Sequence, residues 1–409
     1  MFKNNIDIHN KMVIVMKNSS FWKNTDEIKR TNRKFENNMK CDILIIGGGI
    51  SGAISAYYQA KQGYKVIIVE KNLIGFNSTL ENIGAVYSKP DFQNYVKKSQ
   101  NEIKRLNELI SCAQKDLIEI IEEVSKEESE LKYSECNFLN FSQRASGRFA
   151  LSKLYDEEQS RNHAVSMVEQ NTILDIYSAL EYKNKAVIFN PYILNQELIY
   201  MLNSMSNVEV YENTCVESIN SKEHEVEAQT TNRFKIHASK VIIATGIDLV
   251  KYLKEDLVEL YKTYNIVAKL PKSANDTNFV AKENNSDILL RISNGYVIAN
   301  GEDIKKTIRN TDEIYEERFA NGKYKKLYNY LLKLLNEENI KIKNCFYGMY
   351  LLTNDGLPII DEIEQMPNVY CNLGVGKNGI LHNIIGAKML KNIYNDCYTK
   401  DMYMFRINR

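Results

Sequence analysis

The sequence predicts an α/β protein with two domains, one built on a parallel sheet and the other on an antiparallel sheet plus helices. The first observation is a set of apolar runs next to glycine turns, at 43–46, 66–69 and 241–244. The second is a series of short apolar runs between 263 and 301, separated by turn residues that include the hairpin signal Asn294-Gly295. The third is the length of 409 residues, 44% of them apolar, which favours two or three globular lobes.

Composition and charge exclude several classes of function. The 53 basic and 52 acidic residues give a net charge of +1, so no overall field attracts nucleic acid or an anionic membrane. Seven cysteines without a CxxC pair and five scattered histidines offer no metal-ligand spacing. The longest apolar stretch near the N-terminus, 12–16, is too short for a signal peptide or a membrane span. We therefore expect a cytoplasmic protein with reduced thiols, no metal, no nucleic-acid partner and no membrane anchor.

Other elements follow from apolar periodicity and from capping residues. The helix after the first glycine turn is expected from about Ile50 to Gln62, with Gly63 as its stop signal. Another helix is expected to begin at Pro191, with Asn190 as its cap. Residues 92–131 predict long helices with a core-facing stripe of Ile103, Leu106, Ile110, Ala113, Leu117, Ile121 and Val124. The remaining expected elements are short strands at 208–212, 214–219 and 234–237, a helix near 324–337, and a final strand and helix within 368–394.

The segment 41–71 predicts a strand, a glycine turn, a helix and a second strand that ends in an acid. In such a unit Gly47 permits the tight turn, Gly49 lets a pyrophosphate approach the backbone, and Gly52 lets the helix pack closely on the strand. The free amides at the start of the helix would bind the phosphates. Glu70 lies where a carboxylate accepts both ribose hydroxyls of an adenosine, and it would repel a 2′-phosphate. The segment therefore predicts a site for FAD or NAD rather than NADP.

Four segments together carry a family resemblance. They are the dinucleotide motif ending in Glu70, the stretch GFNSTLENIGAV at 75–86, the turn Ala244-Thr245-Gly246, and the stretch GMYLLTNDGLPIID at 348–361. From about residue 41 to 395, the chain is similar to the flavin-dependent family of D-amino-acid oxidase, glycine oxidase and sarcosine oxidase. That resemblance implies a Rossmann-like domain that binds FAD, with the fold of glutathione-reductase-type flavoproteins, and a second domain that binds the substrate.

Several positions depart from the family pattern. In the family's segment Ser-Gly-Arg-Asn-x-Gly, this chain keeps a hydroxyl at Thr79 as well as Asn82 and Gly84, but it has Leu80 and Glu81 in place of glycine and arginine. Glycine-oxidase-like members place a carboxylate-clamping arginine where this chain has Tyr350. Either another cation such as Lys377 or Arg291 takes over this role, or the substrate is not a simple amino acid. A tyrosine donates one hydrogen bond and cannot replace a bidentate clamp.

The cofactor is expected to be bound without a covalent link. Sarcosine-oxidase relatives attach flavin through a cysteine at the position of Gly348, and Cys345 lies three residues earlier. We interpret Cys345 and Cys371 as small apolar core residues.

A second GxGxxG motif, formed by Gly374, Gly376 and Gly379, lies near the C-terminus. No second strand with an acid follows it, so it does not predict a second dinucleotide site. It predicts a strand, a glycine turn and a helix from about Ile380, whose first amides are free. In the family this turn faces the flavin ring, and amides there stabilise the negative charge of the reduced flavin. Lys377 either adds a positive charge at this place or faces solvent.

The resemblance and the motifs together define a set of domains and site residues. A polar extension spans 1–40; the FAD-binding domain comprises 41–90, 186–249 and 341–409; and the substrate domain comprises a helical insert, 91–185, and a sheet, 250–340. The expected cofactor contacts are Gly47, Gly49, Ile50, Ser51, Gly52, Glu70, Lys71, Ser78, Thr79, Asn82, Gly84, Val216, Ala244, Thr245, Gly246, Gly348, Asp355, Gly374, Gly376, Lys377, Asn378, Gly379 and Ile380. The candidates for substrate contact are Tyr350, Lys377 and Arg291.

The resemblance implies an oxidoreductase that oxidises a C–N bond of a small amine or amino acid by hydride transfer to flavin N5. The imine product would hydrolyse, and oxygen or another acceptor would reoxidise the flavin. Such chemistry needs a neutral amine and positioning rather than a dedicated nucleophile or metal. One alternative is a 2-hydroxy-acid or polyol dehydrogenase, which requires a histidine such as His382 near the flavin. Others are a flavin-binding subunit without turnover and an NAD-dependent dehydrogenase.

Overall fold

The structure is a computed structural model that describes residues 21–24, 32–88, 99–125, 129–160, 163–254, 256–271, 274–306, 313–391, 393–395, 397 and 399–409. The α-helices of this part are α1 (Ile50–Lys61), α2 (Ser78–Glu81), α3 (Gln100–Val124), α4 (Ala145–Ser160), α5 (Pro191–Asn203), α6 (Glu313–Leu334) and α7 (Gly379–Leu390). The strands are β1 (Met39–Ile46), β2 (Val66–Val69), β3 (Ala85–Tyr87), β4 (Tyr133–Ser142), β5 (Ser166–Val168), β6 (Ser178–Phe189), β7 (Val208–Tyr211), β8 (Val216–Ser221), β9 (Val226–Thr230), β10 (Lys235–Ile243), β11 (Val258–Lys269), β12 (Phe279–Glu283), β13 (Leu289–Ser293), β14 (Tyr296–Lys306), β15 (Ile342–Thr353), β16 (Ile359–Glu362) and β17 (Val369–Leu373).

The first sheet has the strand order β16-β17-β10-β1-β2-β7. Its five strands from β17 to β7 pair in parallel, β16 adds an antiparallel edge, and the β8–β9 hairpin joins β10. Helices α1, α3, α5 and α7 cover one face, while a second apolar cluster covers the other. Parallel strands that are buried on both faces form continuous apolar runs, which is why β1 and β2 were predictable. The α/β fold prediction is confirmed.

The helices of this domain begin and end at the predicted signals. The Asn190 side chain accepts hydrogen bonds from the backbone amides of Tyr192, at 3.0 Å, and Ile193, at 3.1 Å, so it caps α5 as expected. Helix α1 ends before Gly63, whose φ of +86° takes the chain out of the helix. In α3 the predicted apolar stripe from Leu106 to Val124 is buried, and Ile103 is half-buried. These local signals place α1, α3 and α5 on the parallel sheet.

The second sheet has the order β15-β11-β14-β13-β12-β4-β6-β3, with β5 on β6. At the β13–β14 turn, Asn294 and Gly295 have φ values of +52° and +72°, which confirms the predicted hairpin. Neighbouring strands are antiparallel except for β4 and β12, which pair in parallel. The sheet is therefore mixed rather than purely antiparallel as predicted. Helix α6 packs on one face through Tyr324 and Leu327.

Three predicted boundaries differ from the sheets that form. Strand β3 was assigned with 41–90 to the cofactor domain, but it pairs with β6 in the second sheet. The insert 91–185, expected to be helical, contributes β4, β5 and most of β6 to the second sheet. Strand β15 was assigned with 341–409 to the cofactor domain, but it pairs with β11 in the second sheet. Strand β4 was missed because its buried and more exposed residues do not alternate regularly, so its sequence lacks the clean alternation that identifies a strand.

The described part of the N-terminal segment is packed against the protein, which corrects the prediction of a loosely ordered extension there. Residues Phe21–Asn24 form a short 3₁₀ helix, and the Trp22 side chain is 6% exposed. Its Nε1 donates a hydrogen bond to the carbonyl of Asn82 at 2.7 Å. Phe35 is also buried. The rest of the predicted extension, 1–20 and 25–31, lies outside the described residues. Within the described chain, no helix has the length and apolarity needed to cross a bilayer.

Candidate functional site

One cavity reaches from the first glycine turn to the second. It lies at the carboxyl ends of parallel strands β1, β2, β10 and β17, where open α/β sheets bind their ligands, and residues of the second sheet form its other wall. Twenty of the predicted site residues line this cavity: Gly47, Gly49, Ile50, Ser51, Glu70, Lys71, Ser78, Thr79, Asn82, Val216, Ala244, Thr245, Gly246, Gly348, Tyr350, Gly374, Gly376, Lys377, Gly379 and Ile380.

The first glycine turn brings strand β1, helix α1 and the β10 turn into direct contact. Gly47 has a φ of +113°, and a Cβ there would lie 2.5 Å from the carbonyl oxygen of Ala244. A Cβ on Gly52 would lie 1.9 Å from the carbonyl oxygen of Gly47, so Gly52 allows close packing of the helix on the turn rather than contact with a ligand. The N-cap residue Gly49 provides no side-chain cap for α1. The first amides of α1 therefore open towards the cavity with the positive end of the helix dipole.

Glu70 is held in position by the backbone around it. Its side chain accepts hydrogen bonds from the amides of Gly48, at 2.8 Å, and Asn72, at 2.9 Å, one to each carboxylate oxygen. The residue is 6% exposed and lines the cavity. Each oxygen keeps a free lone pair, so the carboxylate can accept the two hydroxyls of a ribose. Lys71 pairs with Asp248 beside it, and this hydrogen bond raises the pKa of Lys71.

Two threonines complete the nucleotide end of the cavity. The Thr79 hydroxyl accepts a hydrogen bond from the amide of Ile50 at 3.0 Å. One of the amides at the start of α1 is therefore already hydrogen-bonded within the protein. Thr245 Oγ1 is buried, and within the described residues it has no hydrogen-bond partner. A buried hydroxyl without a partner favours a ligand atom at that place. Together with the glycine cradle and Glu70, these features fit a dinucleotide.

The second glycine turn repeats this close packing. A Cβ on Gly374 would lie 2.2 Å from the carbonyl oxygen of Gly379, and the Gly374 amide donates to Asn383 Oδ1 at 2.8 Å. Gly376 has a φ of +66°, and its amide donates to the carbonyl of Leu351 at 2.9 Å. This bond ties the turn to β15 of the second sheet. The cavity wall at the start of α7 is formed by Gly379 and Ile380.

Four predicted cofactor contacts are not among the residues that line the cavity. They are Gly52, Gly84, Asp355 and Asn378. Asn378 Nδ2 donates to the carbonyl of Tyr87 at 2.8 Å, so its side chain joins α7 to β3. The Asp355 carboxylate pairs with Arg409 at 2.8 Å. A Cβ on Gly84 would lie 2.1 Å from the carbonyl oxygen of Phe189, which makes this glycine a packing position. These residues position the site rather than contact a ligand through their side chains.

The prediction that Arg291 contacts the substrate is wrong for this structure. Its Nη1 donates to the carbonyls of Ile83 at 2.8 Å, Gly84 at 3.0 Å and Phe189 at 2.6 Å. The residue is 8% exposed, lies outside the cavity lining, and its guanidinium carbon is 4.9 Å from the Trp22 ring centroid. Burial lowers the pKa of Arg291 to about 10. Arg291 therefore holds the loop after α2 in place.

Tyr350 and Lys377 line the cavity and share one buried carboxylate. The Tyr350 hydroxyl donates to Asp303 Oδ2 at 2.8 Å, and Lys377 Nζ lies 3.0 Å from the same oxygen. Lys377 also donates to the carbonyl of Asp287. Its side chain is 15% exposed, so the solvent-facing alternative is wrong, and burial lowers the pKa of Lys377. Burial also raises the pKa of Tyr350, whose ring stacks on Tyr261 with 5.6 Å between centroids.

Polar residues on the strands of the second sheet were missed by the sequence analysis. Asn300 Nδ2 donates to Thr263 Oγ1 at 2.9 Å and to Asn265 Oδ1 at 2.8 Å, and both Thr263 and Asn300 line the cavity. Asn300 Oδ1 is buried, and among the described residues no donor reaches it. The signal that could have found them is an asparagine inside each of the apolar runs YNIVAKL and YVIAN, because buried polar residues in strands need partners.

Glu81 is a further cavity residue whose role sequence reasoning did not assign. It ends α2 and lies against β15, where a Cβ on Gly348 would be 3.3 Å from the Glu81 carbonyl oxygen. Burial raises the pKa of Glu81 to about 7, opposed by a hydrogen bond from the Met349 backbone and by the charge of Lys262. The cavity therefore contains a carboxyl group that titrates near neutral pH.

Two residues considered for chemistry lie outside the cavity lining. His382 is 5% exposed inside α7, with Nδ1 2.9 Å from the carbonyl oxygen of Val375. Burial lowers the pKa of His382 to about 4, so it stays neutral at physiological pH. Cys345 is buried in β15, and burial raises its pKa to about 12. Within the described part of the chain, no group of three or more His, Cys, Asp or Glu residues could hold a metal ion.

Known proteins share this fold over nearly its whole length. Glycine oxidase from Geobacillus kaustophilus is 18% identical with a TM-score of 0.74, over 90% of this chain and 99% of that protein. L-Proline dehydrogenase from P. horikoshii is 17% identical with a TM-score of 0.72, over 91% of this chain and 98% of that protein.

Curated relatives match over much shorter segments. A putative Rieske 2Fe-2S iron-sulfur protein, YhfW of Bacillus subtilis, is 29% identical over 72 residues, which are 18% of this chain and 14% of that protein. This match therefore spans only a small part of that relative. By contrast, residues 42–393 match the family described as DAO, FAD dependent oxidoreductase. The chain therefore belongs to the DAO family of FAD-dependent oxidoreductases.

Proposed function

We propose that this protein uses FAD to oxidise a carbon–nitrogen bond of a small amine or amino acid, releasing an imine that hydrolyses. The observation that carries the proposal is the single cavity that extends from Glu70, past both glycine turns, to a wall of the second sheet at Thr263 and Asn300. Similar structures are those of proteins named for the oxidation of glycine and the dehydrogenation of L-proline, which supports the same class of reaction here.

The residues of the cavity suit an extended FAD molecule. Glu70 would accept the ribose hydroxyls, the amides at the start of α1 would bind the pyrophosphate, and the amides at the start of α7 would face the flavin ring. Bound FAD supplies the chemistry of the reaction by accepting a hydride from the carbon next to nitrogen. Cys345 is buried away from the cavity, which supports non-covalent binding. Oxygen or another oxidant would then take the electrons.

The second sheet would supply the surface that binds the substrate. Strands β11, β14 and β15 present Thr263, Asn300 and Tyr350 to the cavity opposite the glycine turns. These walls would exclude water and hold the neutral amine with its reacting carbon towards the flavin, so positioning supplies much of the rate. The proposed substrate domain thus combines 91–185 with 250–340 and also includes β15. We place the protein in the cytoplasm, where thiols such as Cys112 and Cys397 stay reduced.

The test is anaerobic addition of candidate substrates to the purified flavoprotein. Bleaching of the flavin absorbance band by an amine or amino acid, but not by 2-hydroxy acids or polyols, is the expected result. Free FAD with the same compounds is the control for non-enzymatic reduction. Bleaching by hydroxy acids alone would support the alcohol-oxidising alternative. No bleaching across a broad panel would instead indicate a flavin-binding subunit without turnover.

A further inference from the structure

Asp303 is not itself a lining residue, but its carboxylate contacts two residues that line the cavity, Tyr350 and Lys377, at the end where a substrate carboxylate would meet a cation. Its Oδ2 accepts the Tyr350 hydroxyl at 2.8 Å and lies 3.0 Å from Lys377 Nζ. The Asp303 and Lys377 side chains are 10% and 15% exposed. A hydroxyl and an ammonium that converge on one carboxylate oxygen form an anion-binding arrangement. In this protein the anion is part of the chain.

The backbone directs Asp303 into this position. In the β11–β14 ladder, Lys262 pairs with Ile304 and Tyr264 pairs with Gly301, so Thr263 lies opposite two residues, Glu302 and Asp303. Such a β-bulge turns a side chain away from the regular ladder. The Asp303 amide also donates to the Asp287 carboxylate at 2.7 Å. The side chain therefore belongs to a fixed strand rather than to a loop that moves aside easily.

The other cationic side chains near the cavity also have partners within the protein. Lys71 and Lys251 both pair with Asp248 at the nucleotide end. Arg291 donates to three carbonyls behind the wall. Lys262 lies with its Nζ 3.8 Å from the Tyr347 ring centroid, and its charge acts on Glu81. Among the described residues that line the cavity, every lysine thus has an acidic partner, and Glu81 adds a further carboxyl group.

We propose that Asp303 occupies the anion subsite as a built-in carboxylate, so that the substrate is an amine that lacks a carboxylate group. This inference rests on the proposed amine oxidation. A substrate carboxylate at the Tyr350–Lys377 end would meet a cation that is already neutralised, and burying a charge without a partner is strongly unfavourable. An uncharged substrate group that donates a hydrogen bond fits this cavity better than a carboxylate does. The reason is that Asn300 Oδ1, on the cavity wall, is an unpaired acceptor among the described residues.

The first experiment compares matched pairs of compounds on the wild-type holoenzyme. Each pair consists of an α-amino acid and the amine that remains when its carboxylate is removed, for example phenylalanine and phenethylamine. Anaerobic flavin reduction by the amine is expected to be at least about tenfold faster than reduction by the amino acid. Equal or faster reduction by the amino acids would overturn the inference while leaving the proposed oxidation intact.

The second experiment measures anion binding directly, through the change that benzoate causes in the flavin absorbance spectrum. Asp303→Asn keeps an oxygen for the Tyr350 hydroxyl but removes the carboxylate that pairs with Lys377, so that only the weaker effect of the Asp287 charge remains. Benzoate should therefore bind at least about tenfold more tightly. Adding Lys377→Met to that variant should abolish the gain. The control is Asp116→Asn, because Asp116 pairs with Lys388 at 2.8 Å outside the cavity and should leave benzoate binding unchanged.

The two experiments separate failure of this inference from failure of the proposed function. If no compound reduces the flavin, the proposed oxidation fails, and the benzoate titration still decides whether Asp303 fills the anion subsite. Wild-type protein that binds benzoate as tightly as Asp303→Asn would overturn the inference. Should Asp303→Asn fail to fold, the comparison of amino acids with amines on wild-type protein remains decisive.

Discussion

The two glycine turns have the same local construction but different surroundings. In both, a strand of the parallel sheet leads through a GxGxxG sequence into a helix, and a glycine allows backbone contact that a Cβ would prevent. The added atom would lie 1.9 Å from a carbonyl oxygen at Gly52 and 2.2 Å at Gly374. The first turn is followed by α1, β2 and Glu70, whereas after the second turn and α7 the described residues form no further strand. The glycine spacing therefore encodes close packing of a helix on a strand, and the ligand is specified by other residues.

Those other residues come from very different distances along the chain. At the first turn, Glu70 accepts a hydrogen bond from the amide of Gly48, which lies 22 positions earlier in the chain. At the second turn, Lys377 meets Asp303, which belongs to β14 of the other sheet. The nucleotide end is consequently a local motif, while the substrate end is assembled from strands of a separate sheet. That contrast explains why the first end follows a common pattern and the second departs from it.

The largest effect is expected from adding a methyl group at either turn. Gly52→Ala and Gly374→Ala should each lower the free energy of unfolding by about 3 kcal/mol, because the helix must move away from the strand. Denaturation in urea measures the change, and flavin content measures cofactor retention. If one variant is tolerated while the other is not, the two turns are not structurally equivalent.

The second prediction concerns the residue that distinguishes the turns. Glu70→Gln should weaken FAD binding about tenfold to a hundredfold, because charge-assisted hydrogen bonds to the ribose are lost. Binding of FMN, which has no adenosine, should not change. Titration of apoprotein by flavin fluorescence gives both dissociation constants. Equal weakening of FMN binding would show that Glu70 acts on the whole turn and not on the adenosine.

The third prediction uses Glu81, which lines the cavity that reaches both turns. Since burial raises its pKa from 4.5 to about 7, the folded state binds this proton more tightly than the unfolded chain does. Its stabilising effect is fully present below pH 4.5 and is lost as the pH rises to about 7. Glu81→Gln should remove this part of the pH dependence from thermal unfolding of the holoprotein. An unchanged pH profile would contradict the assigned titration.

The smallest effect is expected at a glycine outside both turns, which serves as their control. Gly322 is exposed within α6, and a Cβ there would meet no atom within 4 Å. Gly322→Ala should therefore stabilise the protein by about 0.5–1 kcal/mol, because alanine favours the helical backbone. A loss of stability in urea unfolding would show that the cost at Gly52 and Gly374 does not come from their close contacts alone.

Elements with strong local signals were predicted well. Asn190 and Pro191 at the start of α5, and Asn294-Gly295 between β13 and β14, appear where expected because caps and tight turns depend on neighbouring residues only. Strands β4 and β15 were missed or placed in the wrong domain, since membership of a sheet depends on distant partners. Among site residues, Glu70 and most of the predicted glycines line the cavity, whereas Gly52, Gly84 and Arg291 do not.

The amino-acid sequence alone determined the unit β1-α1-β2, both glycine turns and the acid that follows the first of them. These features depend on backbone conformation and apolar periodicity over a few residues, which adjacent side chains specify. Only the tertiary structure decided that Arg291 binds carbonyls and that Lys377 and Tyr350 share Asp303. The pairing of buried charges depends on which strands become neighbours after folding, and residue spacing does not contain that information.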